Sequence, residues 1–137
     1  MAEWNELPRP ESIEFFEKAI PSHSRVKKLS RLGPQTYEIE RHDDLPTVRL
    51  WLCGVYRVSA ADVAEILAEE PETDAILTIS NWNDVTVEGK EAGQEAGVGV
   101  FTFKHLMGAL NYADDKFVEY KPPERNQSLG GRRAKTP

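Results

Sequence analysis

Asp74-Ala75-Ile76-Leu77-Thr78-Ile79-Ser80-Asn81-Trp82-Asn83-Asp84-Val85-Thr86 is the stretch from which the fold is read. Its first seven residues are too short and too apolar for a surface helix and match a strand buried on both faces. Asn81 to Asp84 then supply turn chemistry, since Asn and Asp side chains hydrogen-bond to nearby backbone and tolerate tight turns. From Thr86 to Gly97 the period changes. Gly89, Ala92, Gly93 and Ala96 fall at i, i+3, i+4 and i+7, which is one face of a helix built only of small residues. Each glycine costs such a helix about 1 kcal/mol relative to alanine, so close packing against a neighbour has to offset the loss. Gly97 is the expected stop. Val98 to Phe103 follows as a second short apolar strand, and Leu106, Met107 and Leu110 mark a helix over about 104 to 111.

Working toward the N-terminus, Ser59-Ala60-Ala61-Asp62 has the spacing of a capping box and predicts a helix over about 60 to 70, with Val63, Ile66 and Leu67 inward and Pro71 as its end. Thr47 to Val58 reads as one long, largely buried strand at the centre of the sheet. Before it, Arg25 to Leu32 and Tyr37 to Arg41 are expected to form a hairpin around Gly33-Pro34, and His42 to Pro46 another turn. Pro10 suits the first turn of a helix carrying Ile13, Phe16 and Ile20. Residues 1 to 9 are read as a flexible arm, 10 to 120 as a single α/β domain, and 121 to 137 as a disordered basic tail. Phe117 to Tyr120 is expected to add a last extended piece. The expected order is α-β-β-β-α-β-α-β-α, with a mixed central sheet of about five strands flanked by helices. Helix-joined strands pair in parallel and turn-joined strands antiparallel.

The chain of 137 residues carries a net charge of −6. From Lys121 onward there are five basic residues and one acidic, which makes the tail +4 and the remainder −10. A body that acidic lacks the clustered Lys and Arg needed to displace counterions along a nucleic-acid backbone. Cys53 is the only cysteine and sits in an apolar run, which excludes an internal disulfide. No apolar run is long enough for a membrane span and the first residues do not resemble a secretory signal, so the expected location is the cytoplasm. His23, His42 and His105 are far apart and lack zinc-site spacing. Neither a phosphate-binding glycine loop nor a nucleophile elbow occurs.

The element order, with the quoted strand and loop, the small-residue helix and Val98-Gly99-Val100-Phe101, resembles the restriction-endonuclease-like (PD-(D/E)xK) superfamily. The second half is most similar to its Mrr-type domains. The resemblance covers about residues 10 to 111 in element order and 74 to 110 in residue pattern. It implies a restriction-endonuclease-like core and an Mg²⁺ ion held between an acid on the second strand and an acid on the third, with a lysine two positions further on. The third strand here has no Asp, Glu or Lys, and Arg49 and Trp51 stand in that region. The expectation is therefore a nuclease-like domain with a degenerate active site, noncatalytic and without a cofactor, acting as a binding or accessory protein, as in a small bacterial or phage protein. Two other readings stay open. One is a divergent Mg²⁺-dependent nuclease using Glu38, Glu40, Asp43 or Asp44, with Lys27 or Lys28 from the first strand. The other is an acidic module that binds a protein or mimics nucleic acid. Candidate binding residues are Arg49 and the loop residues Asn81, Trp82 and Asn83, which emerge past a buried strand and could contact a nucleic acid or a protein partner. The structural role weighed against this has Trp82 closing the core and the asparagines making turns.

Overall fold

A computed structural model describes residues 4–80 and 82–121. Residues 122–137 of the tail expected over 121 to 137, residues 1–3 of the expected arm, and Asn81 lie outside the described residues. Five strands form one mixed sheet in the order β1-β2-β3-β5-β7: β1 (Val26–Arg31), β2 (Thr36–Arg41), β3 (Val48–Cys53), β5 (Ala75–Thr78) and β7 (Gly99–Thr102). The first three pair antiparallel, and β5 and β7 add in parallel. This is the α/β architecture read from the sequence, with helices on both faces. No helix among the described residues is long and apolar enough to cross a membrane.

Each face has its own apolar cluster. α1 (Pro10–Ala19), α4 (Phe103–Ala109) and α5 (Asp114–Val118) bring Phe16, Leu106 and Phe117 against Tyr37, Ile39, Leu50, Leu77 and Phe101. α2 (Ala60–Glu69) contributes Val63 and Ile66, which join Trp51, Cys53, Ile76 and Val100 on the opposite face. α3 (Val87–Glu95) lies on that second face as well, with Ala92 packed against its cluster. That second cluster includes no residue of β1 or β2. There Lys28 and Ser30 stand opposite Glu40 and Glu38, so this half of the face is polar, as on an antiparallel sheet turned partly to water.

Local chemistry explains most of the elements. Ser59 caps α2 with both halves of the capping box formed. The Thr86 hydroxyl accepts from the Gly89 amide and starts α3. A Cβ on Gly89 would stand 2.5 Å from the Val58 carbonyl oxygen, and one on Gly93 would stand 2.6 Å from that of Val98, so the small face is a close-contact face. Gly97 ends this segment at φ +75°.

Three expectations are corrected. The long strand from Thr47 to Val58 stops at Cys53, because the chain turns at Gly54 and re-forms as β4 (Arg57–Val58), which pairs in parallel with β6 (Asp84–Val85) in a separate two-stranded sheet. Residues 4–9 are fastened rather than loose. The Gly54 amide donates to the Glu6 carbonyl at 2.8 Å, and a Cβ on Gly54 would lie 2.9 Å from the Leu7 carbonyl. Phe117 to Tyr120 is not extended: α5 begins after Ala113 and turns Phe117 onto Phe101, with ring centroids 5.3 Å apart.

Candidate functional site

The polar half of the sheet gathers residues that are distant in sequence. Register places Glu38 of β2 opposite Arg49 of β3, and an Arg49 guanidinium nitrogen reaches the Glu38 carboxylate at 3.1 Å. Its other terminal nitrogen meets Glu72 at 3.4 Å, and the Arg49 amide donates to the Asp74 carboxylate at 2.9 Å. Arg49 thus sits among three acids from β2 and from the loop between α2 and β5. The side chains of Glu38 and Arg49 are about one-third exposed, while Glu72 is mostly in solvent. Arg49 Nε is buried without a hydrogen-bond partner.

Two residues along, Trp51 takes the place where the resemblance expects a lysine. It is buried, its indole N–H donates to the Trp4 carbonyl at 3.1 Å, and the two indoles lie 5.5 Å apart. A charged ammonium there would lose its water beneath an aromatic cover. Cys53, two further on, is also buried, and desolvation pushes its thiol up to about 11. It is no nucleophile near neutral pH.

The acids considered together do not converge. Glu40 shares the face of Glu38 but stands opposite Lys28 on β1. Asp43 and Asp44 sit in the turn after β2 with φ near +60°, and Asp43 pairs with Arg25 at 2.5 Å. Lys27 is exposed on β1. Among the described residues no group of three or more His, Cys, Asp or Glu side chains could hold a metal ion.

The loop after β5 divides its roles. The Asn83 amide donates to the Thr78 hydroxyl at 2.9 Å, and that hydroxyl donates to the Val55 carbonyl at 2.5 Å, so Asn83 ties the loop to the turn at residue 55. Trp82 does not close the core. It is 80% exposed, the most exposed large hydrophobic residue among those described. Tryptophan is enriched among the residues that carry most of the energy at binding surfaces.

The link between Glu38 and Arg49 had a sequence signal that simple alternation does not use. The turn is centred between Asp43 and Asp44, and counting outward equally from that point pairs Ile39 with Val48 and Glu38 with Arg49, which is the observed register. Glu72 and Asp74 carry no comparable signal because their approach depends on the parallel pairing of β5 with β3 after a helical crossover. Comparison of the chain with family models, with curated proteins and with solved structures returns no match.

Proposed function

We propose that the chain is a noncatalytic, restriction-endonuclease-like domain that works by binding, as an accessory protein. The observation that carries this reading is the guanidinium of Arg49 between Glu38 and Glu72. Metal-dependent phosphodiester hydrolysis needs carboxylates from neighbouring strands to concentrate negative charge on Mg²⁺. Here the third strand contributes a permanent cation at 3.1 Å from the acid on the second. That cation neutralises the carboxylate and repels a divalent ion. The buried indole of Trp51 at the lysine position supports the same conclusion, and the antiparallel β1-β2-β3 unit continued by parallel β5 and β7 supports the fold part of the proposal.

A binding role draws support from Trp82, which is exposed beyond the end of a buried parallel strand. With the body of the chain at −10, a protein with a basic surface suits it better than a nucleic-acid backbone. The test of the noncatalytic reading is incubation of single- and double-stranded DNA and RNA with the protein in Mg²⁺ and Mn²⁺. No cleavage above that of a mock purification is expected. Robust cleavage that Glu38→Ala or Asp43→Ala abolishes would overturn the proposal and establish a displaced metal site.

A further inference from the structure

The outer edge of β7 opens into a groove of about 340 Å³ between α3 and the start of α4. Lys90 crosses it from α3. Its ammonium donates to the Val100 carbonyl at 2.9 Å and lies 4.2 Å from the centre of the Phe101 ring. Among the described residues no carboxylate comes within salt-bridge distance of it. His105, on α4, and Lys121 line the same groove. These groups feel one another: burial and then Lys121 bring Lys90 down to about 8, and burial, Lys90 and Lys104 all lower His105. Two acids also line the groove. Asp84 accepts the Val85 amide and counters part of the positive field at His105, while Glu91 is exposed.

A lysine folded over an exposed strand edge has an ordinary structural use, because it blocks pairing with another chain. That use accounts for one of the three ammonium donors of Lys90. It does not account for a second lysine and an imidazole on the same hollow. Gln94 and Thr102, which also line it, add neutral hydrogen-bonding groups, and the Tyr120 ring forms part of its wall. The volume lies at the lower end of the range for small-molecule sites.

We propose that this groove binds a small organic phosphate, with the phosphoryl oxygens received by Lys90, Lys121 and His105. A dianion suits two ammonium groups better than a carboxylate does, since each charge-assisted hydrogen bond is roughly twice as strong as a neutral one. Binding would also relieve the repulsion between the two ammonium groups and favour a proton on His105. The site is independent of the nuclease-like reading, and either can fail without the other.

The test uses the full chain at pH 7 and constant ionic strength, titrated with phenyl phosphate, inorganic phosphate and benzoate while the His105 imidazole is followed by NMR. Phenyl phosphate is expected to bind saturably and to move the His105 ring resonances toward those of the protonated imidazole, as a nearby anion favours the protonated ring. The ring resonances of His23 and His42, which do not line the groove, report any anion binding elsewhere. Lys90→Met should weaken phenyl phosphate about tenfold or more, the effect of one charged contact. Lys121→Gln, at an exposed position, should weaken it as well and covers the case in which Lys90→Met folds poorly. Non-saturating shifts common to all three anions would overturn the site. So would unchanged affinity in both variants, and benzoate binding as tightly as phenyl phosphate would overturn the phosphate assignment.

Discussion

Replacing Gly93 with alanine sets two effects of opposite sign against each other. Gly93 lies inside α3, where helix propensity alone predicts a gain of about 1 kcal/mol for alanine. The packing predicts a loss. The new methyl would lie 2.5 Å from a Val100 methyl and 2.6 Å from the Val98 carbonyl oxygen, both far inside contact distance. The valine methyl can rotate aside, but the oxygen belongs to backbone, and the Val98 amide is tied back to the Gly93 carbonyl at 2.7 Å. α3 therefore has to move off β7. Overpacking of this kind costs about 1–3 kcal/mol, and more when backbone has to yield. With the upper part of that range and the propensity gain subtracted, the net loss is about 1–2 kcal/mol, or a melting temperature lower by roughly 4–8 °C for a domain of this size. Urea and thermal unfolding followed by circular dichroism measure both quantities. A Gly93→Ala protein as stable as the parent, or more stable, would refute the close-contact account of the small-residue face.

Other substitutions probe separate parts of the fold. Arg41 is buried and its guanidinium donates to the carbonyls of Pro46, Leu110 and Tyr112, so Arg41→Met strands buried acceptors and should cost about 2–4 kcal/mol in chemical denaturation. Ser59→Ala removes the capping box of α2 and should cost about 1 kcal/mol, with Ser59→Asp retaining most of it. Lys90 provides a pH test. Its folded value of about 8 lies below the unfolded value near 10.4, so the folded chain holds fewer protons between these limits. Stability from this group is complete above about pH 10.4 and is lost as pH falls toward 8. Lys90→Met should therefore reduce the rise in stability across that window, and equal slopes for the two proteins would contradict the burial of the ammonium. Tyr37 acts in the opposite sense above pH 10, because burial and the Glu17 carboxylate at 2.6 Å raise its phenol; it is common to both proteins and cancels in the comparison.

The features legible in the sequence are those fixed by neighbours within a turn or two. Ser59 and Asp62 announce the start of α2 because a capping box is completed within three residues, and Gly89, Ala92 and Gly93 announce a close-packed face through helical spacing. The end of the strand at Cys53 is not legible in the sequence because it depends on the close approach of Leu7 and Pro8 to Gly54, a contact between segments far apart in sequence. β6 has two residues and no periodicity to detect. α5 has no sequence signal of its own, since it depends on Asp114 at φ +55° and on Phe117 packing against Phe101. At the candidate site, Arg49 and Trp51 stood out by their types. The acids that neutralise Arg49 could be placed only partly, since Glu38 follows from turn counting whereas Glu72 and Asp74 arrive through tertiary packing.

The most direct test of a sheet face neutralised by its own arginine is thermal unfolding of the protein in EDTA, Mg²⁺ and Mn²⁺ at matched ionic strength. A metal bound only by the folded chain would raise the melting temperature by mass action, by about 2.7 kcal/mol of stability at a hundredfold excess over the dissociation constant. Superimposable curves are expected in all three conditions. A rise in millimolar Mg²⁺ or Mn²⁺ that Glu38→Ala removes would contradict a neutralised face and return Glu38 to a metal site.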